Sequence, residues 1–571
     1  MYRYLALLPD AAADSANLGP RLSALGLSRH VHLPGLDVYA SAETPVQVCP
    51  GNRVLIGHLF SRTGNQSIAV DQLPPSGLRA FIRHLINECW GEYVLLSGDE
   101  LPGGLSAMRD PSGGLDCLYA PARGFVTSDV SVTTHAGLFE KSVDWDFILN
   151  NLVYPHLKTG RTGLVGLHHL LPGFRLDLHR GESILEQVWD PWTFVARKER
   201  YTQAEAARDA VRQSVDAVAK RWAETDEHVL LELSGGLDSS IVAAAISGSR
   251  ATIACCNLIT PVPGADEREY AIPMADAIGA ELHVDTLGFE NAYLDEPPPA
   301  QAVAPSTWFL QHASNALKAS IGARIGARSY FSGGGGDTIF GYTRTAAPAA
   351  DAFRAGGLAA GFLTVRDLAE LHQCTVWKAG QLTLRKLMTP PKPPREPELT
   401  FLANSAERQA FVPHPWHAAP RSALAGDRER IFDLAGTQIF RDGLARSVER
   451  HLRMPLLSQP VVEACLRVPS WLWIAGGRNR AVARDAFAET LPPAILHRRS
   501  KGSFMNYSGA VFHRNRAQLR DYLMSGVLAS RGLLDTDALL RFLGRDLAQR
   551  ETTFMRIFEL CAAENWVRHQ G

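Results

Sequence analysis

Two glycine-rich runs in this chain end on, or enclose, an aspartate. The first is LLELSGGLDSSIVAAA, Leu230 to Ala245, and the second is SYFSGGGGDTIFGY, Ser329 to Tyr342. In the first run a hydrophobic strand ends at Leu233, Gly235 and Gly236 turn the chain, and a helix begins on serines. That order gathers backbone N–H groups and the positive end of a helix dipole around an anion. Ser234, Ser239 and Ser240 add hydroxyl donors. Asp238 is the odd member, because a carboxylate repels phosphate; it fits if it holds a Mg²⁺ that bridges to the phosphates. A tight, capped strand–helix turn is the plainer alternative. The run is not a Walker loop, which requires GxxxxGK[ST]. In the second run four glycines pay the largest entropy cost on ordering of any residue type, so bare backbone beside Asp337 calls for a reason.

The elements around the first run must place it. Apolar residues at Ala207, Val211, Val215, Val218 and Trp222 form a helical stripe over 201–222. HVLLEL (228–233) is a continuous apolar run suited to a buried parallel strand. TIACCNLI (252–259) and ELHVDTL (281–287) read as further strands, with a helix over 267–278 between them. Alternating strand and helix predicts a parallel α/β sheet. Residues 1 to about 190 are different: short strands such as NRVLIGHLF and GEYVLLSGD dominate, with longer helical periods only over 77–90 and 145–157. MYRYLALLPD reads as a first strand rather than a signal peptide. TPPKPPREPE (389–398) is predicted to be an exposed loop, and helical patterns return from about 406 to the end.

Bulk composition narrows the class. The 571 residues are 46% hydrophobic and 20% charged, as in globular proteins with a sizeable core, and the formal net charge of −1 offers no broad basic field to nucleic acid or acidic membranes. Eight cysteines are scattered without CxxC spacing, which fits reduced thiols in a cytoplasmic protein. No apolar stretch reaches membrane-spanning length.

SGGLDSS after a hydrophobic strand resembles the pyrophosphate loop of ATP-pyrophosphatases that form adenylates. GADEREYAIPMADAIGAELHV (264–284), FSGGGGDTIFGY (331–342), MPLLSQPVVEACLRVPSWLW (454–473) and RAVARDAFAETLPPAILHRRSKGSF (480–504) follow in the order of the asparagine synthetase superfamily. The resemblance implies ATP and Mg²⁺ as cofactors. It implies metal binding by Asp238 and Asp337, and nucleotide contacts from Leu233, Ser234, Gly235, Gly236, Asp238, Ser239 and Ser240. From the second loop it implies contacts from Ser332, Gly333, Gly335 and Gly336. Lys501 matches the family lysine that meets the α-phosphate and the tetrahedral intermediate; a solvated basic loop with Arg498 and Arg499 is the alternative. Arg478 and Arg480 read equally as facing phosphate or peptide and as surface charge.

In the same superfamily the N-terminal half is a class II glutaminase, and residues 90–130, RDPSG (109–113) especially, resemble its strands. The implied fold is therefore an Ntn-type αββα sandwich over 1–195 and a parallel-sheet ATP-pyrophosphatase domain with a helical C-terminal part over 196–571. The glutaminase nucleophile is a cysteine that becomes residue one, where its own amine serves as base. Here Tyr2 follows Met1, and internal Cys49, Cys89 and Cys117 carry no free α-amine, so no glutamine hydrolysis is expected.

Without ammonia, an amine on the substrate becomes the economical nucleophile. Three residues before Asp337, asparagine synthetases carry glutamate and β-lactam synthetases tyrosine; this chain has Gly334, with Thr338 after the aspartate and Ser458 replacing the aspartate of PFLD. The pattern looks like lasso peptide cyclases. It implies adenylation of an Asp or Glu side chain of a precursor core peptide and attack by its N-terminal amine. Implied partners are that peptide and a leader-binding protein and leader peptidase, with no nucleic acid or membrane. A small-molecule amide or lactam synthetase and a non-catalytic nucleotide- or peptide-binding subunit are the alternatives.

Overall fold

The structure is a computed structural model that describes residues 2–8, 17–64, 66–98, 103–264, 266–290, 292, 295–306, 310–391, 393–441, 449–499, 504–548 and 551–570. Two antiparallel six-stranded sheets fill its first third. One has the order β10 (His168–His169), β8 (Leu118–Ala120), β9 (Phe125–Thr127), β1 (Tyr4–Leu7), β3 (Leu36–Ser41), β2 (Leu27–Leu33). The other runs β12 (Glu182–Gln187), β11 (Phe174–His179), β7 (Gly104–Arg109), β6 (Cys89–Ser97), β5 (Arg53–Ser61), β4 (Val46–Cys49).

Alternation along the strands dictates how the sheets stack. Tyr4, Ala6, Val38 and Ala40 face Val54, Ile56, Val94 and Leu96 across a shared core. Their neighbours point outward. Leu5 and Leu7 pack with α1 (Leu18–Ala24) and α4 (Trp145–Val153), while Leu55, Leu59 and Leu95 pack with α2 (Leu78–Glu88). Helices therefore cover both outer faces, an α/β arrangement in four layers. Short α1 and α3 (Val130–His135) went unread in the sequence, being too brief to show a period. The helix predicted over 145–157 stops at Val153, ahead of Pro155, because the residue before proline is pushed from the α region. The helix predicted over 77–90 gives way at Cys89 to β6.

The second architecture begins with α5 (Ala204–Asp226). Val211, Val215, Val218 and Trp222 on its apolar stripe share one core with Leu55, Leu59 and Phe81 and with the parallel sheet beyond. That sheet has the order β15 (Glu281–Thr286), β14 (Thr252–Ile259), β13 (His228–Glu232), β16 (Ser329–Phe331), β17 (His451–Arg453), with every pair parallel. In β13, Val229 and Leu231 face α5 and α6 (Leu237–Ile246), while Leu230 faces α8 (His312–Arg324). α7 (Arg268–Ala277) precedes β15 as the alternation predicted. The tail is less uniformly helical than its pattern suggests: β17 lies within it, three residues being too few to register as a strand. Residues 389–398 carry no regular structure among those described. No helix among the described residues is long and apolar enough to cross a membrane. All eight cysteines are free; seven are buried and Cys374 is half-buried.

A buried ion cluster ties the second antiparallel sheet to the parallel one. Arg453, 1% exposed, ends β17 and donates to both carboxylate oxygens of Asp226 at 2.9 and 3.0 Å. It also donates to Glu92 of β6, which Arg441 reaches at 2.9 Å, and its guanidinium stacks 4.0 Å from the Trp222 ring. Burial alone would raise the Glu92 carboxyl, but Arg453 and Arg441 override it and hold that group below its usual range.

Candidate functional site

Strand order reverses between β13 and β16, and in open parallel sheets ligands bind in the crevice at the carboxyl ends of such a pair. Both glycine runs leave from these two ends: 234–236 after β13 and 332–335 after β16. The first loop is braced from inside. Leu233 is wholly buried, and its carbonyl accepts from Asn257 Nδ2 at 2.7 Å. Ser239 and Ser240, both buried, donate their hydroxyls to the Gly236 carbonyl at 3.2 and 2.8 Å, and Ser239 Oγ lies 3.1 Å from Ser234 Oγ. Ser240 thus holds the turn. Gly235 has φ +70°, and a Cβ there would stand 2.7 Å from Tyr270 Cβ.

The second run is glycine because it is pressed on the first. A Cβ on Gly333 would lie 2.5 Å from Ser239 N, and one on Gly336 2.4 Å from Asp238 Cγ. Gly335, at φ +86°, would strike Leu457 Cδ2 at 2.4 Å. Gly334 differs: its Cβ would meet only side-chain atoms, Met454 Sδ at 3.3 Å first. Gly334 N–H donates to Ser332 Oγ at 3.2 Å. The close approach brings Asp238 and Asp337 to one cation. Arg480 Nη1 donates to Oδ1 of each at 2.9 Å. Arg480 is 7% exposed and holds φ +54°, a left-handed backbone rarely adopted outside glycine and found mostly where surrounding structure enforces it.

Sequence spacing left the basic residues near the C-terminus undivided; the structure separates them. Arg478 pairs at the surface with Asp485 at 3.1 Å, whereas Arg480 enters the crevice. Arg498 donates to the Gly235 carbonyl at 3.0 Å, pairs with Glu267 and stacks 3.8 Å from the Tyr270 ring, so it braces the first loop. Arg499 is exposed. Arg484, missed in the sequence, donates to the carbonyls of Leu496 at 2.5 Å and Arg498 at 3.0 Å. Burial, then the Arg480 charge, push its guanidinium down to about 10. Lys501 lies outside the described residues.

A cavity of about 400 Å³ opens between the loops, lined by Ser234, Asp238, Gly333, Asp337, Arg480, Arg484 and Arg498. Two carboxylates with three arginines suit a polyanion carrying its own cation: the carboxylates supply hard oxygen ligands and the guanidiniums pair with phosphate. A second cavity, about 480 Å³, adjoins it and draws walls from both halves of the chain, including Asp116, His169, Lys318, Met454 and Glu559. Glu232, Ser332, Gly334 and Phe440 line both. Glu232, hidden in the apolar run of β13, shares the Leu230 face and pairs with Lys318 Nζ of α8 at 3.0 Å. In the antiparallel half Cys49, Cys89 and Cys117 are buried, and burial pushes their thiols up to about 11, 12 and 11. The Tyr2 hydroxyl lies 2.7 Å from His58 Nε2.

A search of curated proteins found no match. Among solved structures the chain is similar to the allosteric regulatory enzyme of purine biosynthesis, at 12% identity over 50% of this chain and 80% of that one, with a TM-score of 0.22. Glutamine phosphoribosylpyrophosphate amidotransferase from B. subtilis matches at 10% identity over 50% and 65%, with a TM-score of 0.20. Both superpositions are weak. A family model described as asparagine synthase matches residues 209–568, which span the parallel sheet, both glycine loops and Arg480, and the chain belongs to that family of ATP-dependent amide-forming ligases.

Proposed function

We propose that this chain is a macrolactam synthetase of the lasso peptide cyclase type, organised as a degenerate glutaminase-like domain over 1–195 and a synthetase domain over 196–571. Asp238 and Asp337 would hold Mg²⁺, which when bound neutralises the β- and γ-phosphates of ATP and eases departure of pyrophosphate. Arg480 stands where the phosphate charge would lie and is displaced from the two carboxylates when nucleotide enters. Backbone of the two loops, with Ser234 and Ser332, orients the nucleotide. A side-chain carboxylate of the peptide attacks the α-phosphorus and releases pyrophosphate; the peptide's N-terminal amine then attacks the acyl carbon and releases AMP. Lys501 is assigned to the developing oxyanion, where such a cation contributes roughly 3–4 kcal/mol by analogy with oxyanion donors.

The observation that carries this reading is Gly334. It is one of the four residues that line both the nucleotide cavity and the second cavity, and it bears no side chain where related small-molecule ligases carry an acid or a phenol. Only the flexible end of Met454 lies against it, 3.3 Å from where a Cβ would stand, and a shift of that side chain suits a substrate bulkier than ammonia. The second cavity's 480 Å³ also lies in the range of small-molecule pockets, so a small-molecule amide or lactam synthetase is the competing reading. Linear peptides with a free α-amine and one internal Asp or Glu, tested for ATP–pyrophosphate exchange and for a product one water lighter, separate the two. Exchange with small amino acid derivatives alone overturns the peptide reading.

A further inference from the structure

Resting on that ligase reading, we propose that Glu232, set by Lys318, receives the attacking ammonium and takes its proton. The reaction has two demands at one place. The nucleotide's α-phosphate must meet the carboxylate, and an amine must arrive deprotonated at the same carbon. A peptide α-amine has an ordinary pKa of about 7.7–8.0, so near neutral pH most of it is ammonium and carries no lone pair for attack. Something at the meeting point must bind that cation and accept a proton.

The two cavities meet at Glu232, Ser332, Gly334 and Phe440. Glu232 is the one ionisable side chain in that set. Its position is set by the fold: it is the last residue of β13, on the carboxyl-end side of the sheet, separated from the first glycine loop by Leu233 alone. The period of two that turns Val229 and Leu231 toward α5 and α6 turns Glu232 with Leu230 toward α8. There Lys318 Nζ holds Glu232 Oε2 at 3.0 Å, and both side chains are less than one fifth exposed. A glutamate ending an apolar strand costs desolvation unless paired; the pair with Lys318 lets the chain keep an acid at the junction. Gly334, in the loop after the neighbouring strand, adds no side chain of its own there, and the flexible end of Met454 lies against it, 3.3 Å from where a Cβ would stand.

The step balances. The α-ammonium passes one proton to a Glu232 oxygen and attacks the acyl carbon of the adenylate. The C–N bond forms, the C–O bond to AMP breaks, and the second nitrogen proton leaves with the AMP phosphate. Lys318 is a positioning residue: it fixes the carboxylate's orientation and repels a misplaced ammonium.

The test uses the full chain, ATP and a synthetic peptide with a free α-amine and one internal glutamate, and compares Glu232→Gln with wild type. Peptide-dependent ATP–pyrophosphate exchange should stay near wild type, because carboxylate activation does not use the amine. Amide formation should fall about 10²- to 10³-fold, in the range of a lost general base. The deficit should narrow as pH rises past the amine's pKa. Hydroxylamine, largely unprotonated at neutral pH, should trap the adenylate as a hydroxamate equally well in both enzymes. Glu232→Gln with Lys318→Gln removes the unpaired lysine and should show the same split, which separates misfolding from lost chemistry. Wild-type amide formation by Glu232→Gln overturns the proposal and leaves the ligase reading intact. Loss of exchange and amide formation together in both variants, with folding retained, overturns it as well, since the acid would then serve activation. No exchange by wild type with any peptide overturns the reading beneath it.

Discussion

Gly333→Ala is a one-methyl probe of how the site is assembled. An alanine Cβ there stands 2.5 Å from Ser239 N, 2.8 Å from Asp238 C and 2.9 Å from Ser239 Cα. These are backbone atoms of the first loop, braced by the Ser239 and Ser240 hydroxyls on Gly236 and by Arg498 on Gly235. Ordinary contact begins at 3.4 Å, so one loop must retreat by about 0.9 Å. Overpacking of this kind costs about 1–3 kcal/mol. The retreat also carries Asp337 away from Asp238, and a misplacement near 1 Å costs about 10²-fold in rate. Gly334→Ala, one residue along, meets only the flexible end of Met454 at 3.3 Å and should stay near wild type in stability and exchange. The assay is urea midpoint beside ATP–pyrophosphate exchange for both variants. Equal behaviour of the two, or a Gly333→Ala enzyme with full exchange, refutes the claim that the glycine run exists for loop-on-loop contact.

Arg480→Met removes the cation that is proposed to pair with phosphate once nucleotide displaces it from Asp238 and Asp337, and should weaken nucleotide binding about 10- to 100-fold, read by titration calorimetry with ATP and Mg²⁺. Asp238→Ala should abolish product by mass spectrometry and Lys501→Ala should slow its formation about 10²- to 10³-fold; product at the wild-type rate in either shows that residue misassigned. Arg453→Met leaves Glu92 and Asp226 buried without their shared partner and should cost about 3–5 kcal/mol in urea unfolding, with no change in the chemistry of the surviving folded enzyme. Burial holds His58 and His417 neutral and lowers each to about 4, and His414 to about 3. A lowered folded-state pKa means stability is full above the unfolded value near 6.5 and is lost as pH falls through the window to about 4. Unfolding midpoints should therefore decline between pH 6.5 and 4, by up to about 1.4 kcal/mol per unit for each group; a flat profile there contradicts the buried, neutral assignment.

The legible parts of this molecule were local. SGGLDSS follows a strand within one short window, and the alternation of strands with helices over 228–287 needs only nearest neighbours to be read. Arg480 was not legible, because what distinguishes it from Arg478 is a left-handed backbone and two carboxylates from loops over a hundred residues away. Glu232 hid because an apolar strand pattern absorbs one polar residue without changing its period. The Arg453–Glu92–Asp226 cluster joins three elements that no spacing connects. The glycine run was half legible: bare backbone near phosphate fits the sequence, but the steric reason for Gly333 and Gly336 is the first loop itself.

The most direct measurement is ATP–pyrophosphate exchange by the wild-type chain across linear peptides and small amino acid derivatives, with products weighed. The account predicts exchange with a peptide bearing an internal Asp or Glu and a cyclic product one water lighter. Exchange confined to small amino acid derivatives, or none with any carboxylate, contradicts it.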